Sequence, residues 1–398
     1  MAVKPWIGAI KEPDNHPPVN KDAPDSGYAI DYVYGYRCQD SRQNVYFNPE
    51  GNIVYITACL GVILDKASNT QKFFGGGNVE NKSKQVASDA NHHNNDVMCM
   101  KINTNGNREW AVSGQVGKSP SIFVWNTLTG EKRQRMNLLK GSRAVAACAI
   151  STDLKYIACA DKHNDHNVFV FEVDSGSMVY TEKGGPDEIF DMAFNMAEGQ
   201  YDLWSAGMKH MTYWNIAEMK KKKCVFGENP RTSFAACTAD DQGNCYAGGS
   251  NSLIYVWCKN SLKTTIGVHN RGFVGAIVWN AGKLYSGGKD GRICITDAAS
   301  GTCENVIECG VLPRAIDVSA DSTTLVVGLR TGSIVEFDLA SMSSTTYMQS
   351  HNDGEVWGLD MDANSIYTTG DDNQVKKWDP FSRKCIDTAI VSNEVRKA

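Results

Sequence analysis

The chain contains no unbroken apolar stretch of about 18 residues, so its sequence offers no transmembrane helix. Its start, MAVKPWIGAIKEPDNHPP, has no apolar run long enough for a signal peptide. Excess positive charge is missing too: 40 Lys and Arg against 45 Asp and Glu leave a formal net charge of −5. That argues against a chain-wide footprint for DNA or RNA, and any acidic partner would have to meet a local basic patch. Thirteen cysteines are scattered from Cys38 to Cys385 without one CxxC pair. An odd number at such spacing reads as reduced, mostly buried thiols and not as a disulfide framework. No segment sustains a 3.6-residue period, so helices do not build the fold. A hydrophobic content of 42% over 398 residues supports a large core, which excludes a disordered chain. These absences place the chain among soluble, cytoplasmic, globular proteins.

What is present is a repeat. An aromatic residue followed by a polar one closes a short apolar run again and again: IFVWN at Trp125, VFVFE at Phe171, MTYWN at Trp214, IYVWC at Trp257, SIVEFD at Phe337 and VKKWD at Trp378. ICITD at Thr296 fills the remaining place with the aromatic lost. The steps between these positions are 46, 43, 43, 39, 41 and 41 residues, and propeller repeats of the WD40 kind have a period of about 40–45. Inside each unit, apolar runs of strand length are joined by tight turns. Asp290-Gly291 reads as a type I′ hairpin turn, with Thr331-Gly332 and Asp372-Asn373 at the same place in their units. The expected fold is all-β: a WD40-type β-propeller of about seven blades.

The last unit carries the chemistry that locks a blade. His351 precedes the first strand, Thr368 ends the second, Asp372 sits in the hairpin and Trp378 lies on the third strand. A neutral histidine donates at one nitrogen and accepts at the other, so His351 can link Asp372 to Thr368, with the Trp378 indole N–H on the threonine. The unit ending at Thr296 keeps His269, Ser286 and Asp290. Other units are more degenerate, with Asn251 or Thr331 at the aspartate place. No nucleophile accompanies these histidines, so they read as structural.

Ahead of the repeats lies DYVYGYRCQDSRQNVYFNPEGNIVYITACLGVILDKASNTQKFF, from Asp31 to Phe74. It resembles the HELP motif, the hydrophobic segment of the echinoderm microtubule-associated protein-like (EML) family. Tyr34-Gly35-Tyr36-Arg37, then Asp40, Arg42, Asn44 and Tyr46, then NIVYITA from Asn52 and GVILD from Gly61 carry the resemblance. Similar pieces recur as KPWIGAI at Lys4, VSGQVGKSPSIFVWN at Val112, DEIFDMAF at Asp187, GMKHMTYWN at Gly207 and GEVWGLDM at Gly354, so it runs from about residue 4 to the C-terminus. The resemblance implies a segment that packs into one propeller and against the next, giving a tandem pair of which this chain holds the first. Tyr34, Tyr36, Arg37, Asp40, Arg42, Tyr46 and Phe47 are then packing residues. Their aromatic area alone makes core or inter-propeller cement the better reading over a direct tubulin contact. The expected organisation is an N-terminal extension at 1–27, a HELP-like segment at 28–74, a polar insertion loop at 75–96, seven repeats forming a propeller at 97–390, and the start of a further repeat or a tail at 391–398. HELP strands would make an eighth blade. The short members' basic coiled coil has no counterpart ahead of the segment, so the chain resembles the long, repeated members.

Other candidates read more plainly. GQVGKS, Gly114–Ser119, imitates a phosphate loop, but the GxxxxGK[ST] spacing would need glycine at Val112 and a helix should follow, where Pro120 and a strand stand instead. It reads as a hairpin turn. His92-His93, or His163 with His166, has no second pair of metal ligands at the right spacing and reads as solvated loop. Asp187-Glu188 and Asp240-Asp241 lack the facing geometry of acid–base pairs. Lys220, Lys221, Lys222 and Lys223 form the densest basic run: a solvated turn, or a salt-dependent contact with acidic tubulin.

The expected function is therefore that of a non-enzymatic scaffold. The resemblance implies tubulin or microtubules and other cytoskeletal or axonemal proteins as partners, and a cytoplasmic, cytoskeletal setting with cilia or flagella as one case. No catalytic or metal site is expected, and no cofactor, nucleic acid, membrane or small-molecule substrate. A WD40 adaptor for signalling or ubiquitin-ligase assembly is the alternative from another class, since fold does not fix function. A propeller enzyme would need acids or metal ligands converging on the central channel, and the sequence presents none.

Overall fold

The computed structural model describes residues 13–18, 20–22, 28–76 and 91–391. The chain divides into a short N-terminal unit, Met1–Ile30, and a large unit, Asp31–Ala398. The described residues of the short unit form neither helix nor strand. Among the described residues of the large unit, 32 strands build eight four-stranded antiparallel sheets, each a meander in chain order. Their sequences explain them: runs such as SIFVWN and LIYVWC are rich in β-branched and aromatic side chains that pack well on a pleated surface. In chain order the sheets span 45–74, 97–137, 145–183, 189–223, 234–267, 274–308, 313–349 and 356–390, and are numbered 1 to 8 accordingly.

Seven of the eight sheets form a ring. The first strands of sheets 2 to 7 stand side by side around an axis. Sheet 1 fills the gap between the two ends, its first strand (Val45–Phe47) against that of sheet 7 and its second (Ile53–Thr57) against that of sheet 2. The apolar packing shows the same closure. Among the described residues there are seven buried clusters, each drawn from two neighbouring sheets. One joins Phe47, Tyr55 and Val62 of sheet 1 to Ala315, Val326 and Ile334 of sheet 7. Another joins Val54, Ile63 and Phe74 to Met100, Phe123 and Trp125 of sheet 2. Seven interfaces are what a closed ring of seven sheets has. Each large side chain so buried contributes about 2–3 kcal/mol.

The fit around sheet 1 is tight. A Cβ on Gly61 would meet the Trp125 indole at 2.5 Å, and one on Gly328 would meet the Tyr36 hydroxyl at 2.1 Å. Both positions therefore require glycine. Polar groups clamp the same seam. Asp317 of sheet 7 accepts hydrogen bonds from the Phe47 amide at 2.8 Å and from Arg108, in sheet 2, at 2.7 Å. Arg108 also donates to the carbonyls of Phe47 and Val318. Burial pushes the Asp317 carboxyl above its ordinary value, partly offset by Arg108.

Two expectations change here. The ring uses six of the seven repeats together with sheet 1, and the seventh repeat, sheet 8, stands outside it. Sheet 8 contributes to none of the seven clusters; its outer strand, Lys384–Ile390, lies beside the outer strand of sheet 7, Ser344–Gln349. Its first strand exposes Trp357 (65%), Leu359 (74%) and Met361 (69%). Once sheet 1 occupies the seventh place, a further blade has no neighbour to enter between. Second, the hairpins are not type I′. Only the last residue of each three-residue turn is left-handed: Gly291 (φ 82°), Gly332 (φ 80°) and Asn373 (φ 58°). The Gly291 amide closes on the Gly288 carbonyl at 3.0 Å, as in a type I turn followed by a left-handed residue.

Candidate functional site

The aromatic leader reaches both the ring and sheet 8, and its residues divide between them. Tyr32 packs against Arg383 at 5.5 Å, and Tyr34 meets the Trp378 ring edge-on at 4.9 Å. Asp31 pairs with Arg383 at 2.9 Å, the Asn69 amide donates to the Ser382 carbonyl at 2.6 Å, and Gln39 bonds Asp353. These contacts hold sheet 8. From Tyr36 onward the chain turns into the ring. Tyr36 is buried and donates to Asn44 at 2.9 Å; Tyr46 donates to the Gln43 carbonyl at 2.7 Å. Arg37 is bidentate to Asp40 (2.8 and 2.7 Å) and pairs with Asp96 at 3.1 Å. Phe47 lies buried under the Lys66 amine, 5.1 Å from its ring centre. Arg42 stands over the Phe190 ring at 5.7 Å.

Beyond Arg42 the leader crosses the axial channel. Gln43 donates to the carbonyls of Ile277 and Ile316 and accepts from the Ile316 amide at 3.0 Å, while its own amide donates to the Arg314 carbonyl. One side chain thus ties the leader to sheets 6 and 7. Below, Lys101 of sheet 2 pairs with Asp191 of sheet 4 at 2.9 Å.

Blade networks occur in three sheets. In sheet 8, His351 stands 2.9 Å from both Asp372 and Thr368, and the Trp378 indole donates to Thr368 at 2.8 Å. In sheet 6, His269 bridges Asp290 (3.1 Å) and Ser286 (2.9 Å). Burial lowers the His269 pKa, opposed by Asp290. The third network contains a correction. His93 is not a solvated loop residue: it is fully buried, 2.7 Å from Ser113 and 2.8 Å from Gln115, with the Trp125 indole donating to Ser113 at 3.0 Å. Burial pushes His93 down to about 4. A signal for it existed in the dipeptides His93-Asn94, His269-Asn270 and His351-Asn352, each just ahead of a first strand.

Lys220–Lys223 also differs from expectation. The run is no turn but the outer strand of sheet 4, paired with Thr212–Asn215. Lys220 pairs with Glu218 at 3.3 Å; Lys221 pairs with Glu182 at 2.8 Å and covers the Trp214 ring. Lys222 and Lys223 are exposed. Gly117–Ser119 forms the turn between two strands of sheet 2. Asp240 is consumed in closing its own turn, accepting from Gln242, Asn244 and Tyr246. Of the polar insertion, 77–90 lies outside the described residues, as does the 392–398 tail. All thirteen cysteines are free, eight of them buried. Among the described residues no cluster of three or more His, Cys, Asp or Glu could hold a metal.

Comparison with known proteins places this architecture. The family model described as "Echinoderm microtubule-associated protein first beta-propeller" matches residues 91–318, the HELP motif matches 23–62 and a WD domain, G-beta repeat matches 342–379. The ciliary WD repeat-containing protein ctxp80 of Euplotoides octocarinatus is 45% identical over 99% of this chain and 55% of its own length. The 77 kDa echinoderm microtubule-associated protein of Strongylocentrotus purpuratus is 25% identical over 90% of this chain and 52% of its own. The human echinoderm microtubule-associated protein-like 2 is 24% identical over 95% and 58%. The chain therefore spans about half the length of these relatives. Among solved structures, the WD40 repeats of RRP9 align with a TM-score of 0.53 at 19% identity, over 72% of this chain and 92% of that one, a likeness of fold alone.

Proposed function

The chain belongs to the echinoderm microtubule-associated protein family, and on that premise we propose that it is a non-enzymatic scaffold that engages tubulin or the microtubule lattice. The observation that carries the reading is the leader: one HELP-type segment closes a rigid ring and, through Tyr32 and Tyr34, holds a further sheet at its rim. A rigid platform joined to a second element suits binding by shape and many weak contacts. Sheet 8, with its apolar first strand exposed, serves as the first blade of a second ring in a product of the length its relatives have. The outer lysine strand supplies one contact, with Lys222 and Lys223 facing acidic tubulin. Relatives with ciliary and microtubule-associated names support a cytoskeletal setting, with the axoneme of cilia as one case.

Co-sedimentation with stabilised microtubules tests this. The purified chain is expected in the pellet at low salt and progressively less so as salt rises, because exposed charge contacts are screened. A folded chain left wholly in the supernatant at low salt overturns the reading and favours an adaptor unrelated to tubulin.

A further inference from the structure

One mouth of the axial channel gathers cations and carboxylates in a chain of net charge −5. A cavity of about 290 Å³ opens there, lined by Arg42, Lys101, Lys162, Met98, Phe190 and Asp191 among others. Most of its charges are already spent. Lys101 is held by Asp191, which also accepts from the amides of Met192 and Cys237. Arg37 is held by Asp40 and Asp96. Three guanidiniums remain near the cavity, and of these Arg42 alone lines it. Arg314 and Arg330 both donate to the Gln39 carbonyl, at 2.8 and 2.6 Å, and Arg42 follows three residues later on the same leader. None of the three has a carboxylate within ion-pair distance among the described residues. The Nε atoms of Arg42 and Arg314 are buried without any hydrogen-bond partner, and Arg314 is only 8% exposed. Leaving a buried charged donor unsatisfied is costly, so such a group marks a place where a ligand repays the cost. Burial first, then repulsion from Arg42 and Arg330, holds the Arg314 pKa down to about 10, so the three charges do act on one another.

We propose that this axial mouth is a binding site for a glutamate-rich peptide segment of a partner protein. Carboxylates match the planar fork of a guanidinium. Arg314 and Arg330 on the Gln39 carbonyl, with Arg42 three residues further along the leader, suit successive carboxylates along a chain. Phe190, Met98 and Met100 offer apolar wall to the methylenes of glutamate.

The test uses the full chain with Lys220–Lys223 changed to glutamine, so that the outer strand does not contribute. Fluorescence anisotropy follows a labelled oligoglutamate peptide at low salt, with circular dichroism as the check on folding. Saturable binding is expected, weakened about tenfold by Arg42→Gln, the loss of one charge-assisted contact. Arg330→Gln, on a more exposed loop, should do the same and covers the case in which Arg42→Gln fails to fold. Absence of saturable binding by the parent chain, or binding unchanged in a folded variant, overturns the site. Displacement of the peptide by millimolar inorganic phosphate but not by acetate overturns the peptide assignment. Microtubule pelleting is a separate readout, so this site and the scaffold reading can fail independently.

Discussion

Sheet 1 and sheet 8 are opposites in sequence and in place. Sheet 8 carries the fullest blade signature in the chain, His351, Asp372, Thr368 and Trp378 in one network, yet it stands outside the ring with one face open. Sheet 1 has no such network. Leu64 occupies the position of the tryptophan on its third strand, and its residues are buried against both neighbours. The difference separates two jobs. The His–Asp–Thr–Trp network satisfies polar groups inside one sheet, so it steadies a blade whether or not neighbours are present. Ring closure needs apolar area on two faces and a clamp across the seam. Sheet 1 has both, through its aromatics and through the Phe47 amide on Asp317.

The sharpest break in that comparison is at the clamp. Asp317→Ala leaves the Arg108 guanidinium buried and the Phe47 amide unpaired, and should cost about 3–5 kcal/mol, read as a shifted urea midpoint for the whole ring. Asp372→Ala removes the matching carboxylate of sheet 8, where His351 is within reach of water. It should cost about 1–3 kcal/mol, felt as local proteolytic opening of sheet 8 while the ring's transition stays in place. A ring destabilised equally by both changes would mean that sheet 8 is part of the closure.

Acid gives a second, smaller test. Within the ring, burial lowers the His93 pKa from 6.5 to about 4, so the unfolded chain binds a proton there before the folded one does. Its neutral form therefore contributes stability that is full above pH 6.5 and lost as pH falls toward 4. Between those limits the loss reaches about 2 kcal/mol by pH 5, at 1.36 kcal/mol per pH unit. His93→Gln, lower in stability at neutral pH, should show a correspondingly smaller drop in urea midpoint between pH 7 and pH 5. An identical drop would place the acid sensitivity elsewhere, at His210 or His269, whose pKa values burial also depresses.

The repeat was legible because an aromatic residue near the end of the third strand recurs at blade spacing in six of the seven repeats, and those strands stand where the period predicts. The role of sheet 1 was not. Leu64 lies 61 residues before Trp125, so the insertion between them hides the unit from any search at that period. The family resemblance found the segment but not its place, because its partners, Ala315 and Val326 on one side and Met100 and Trp125 on the other, are chosen by ring geometry and not by neighbouring sequence. The burial of His93 is hidden from the sequence for a related reason. A polar context suggests solvent, whereas Ser113 and Gln115, twenty and more residues on, decide its burial. In the Lys220–Lys223 run, charge alone suggests a turn and does not reveal an edge strand, whose outward face tolerates lysine.

The smallest effect bears most directly on sheet 8. Leu359 and Met192 occupy equivalent places on first strands, opposite Thr368 and Ser205. Met192 is fully buried between sheets, so Met192→Ala should cost about 2–5 kcal/mol. Leu359 faces solvent in this chain, and Leu359→Ala should stay within about 0.5 kcal/mol. The two substitutions remove comparable apolar volume from the same position of the same kind of sheet. Any gap between them is then due to the neighbour alone. Should Leu359→Ala prove as costly as Met192→Ala in the isolated chain, sheet 8 must be covered in solution, by a second copy or by the ring itself. In a product long enough to supply the next blade, the cost at Leu359 should rise to that at Met192, and the open face would be the seam on which a second ring is built.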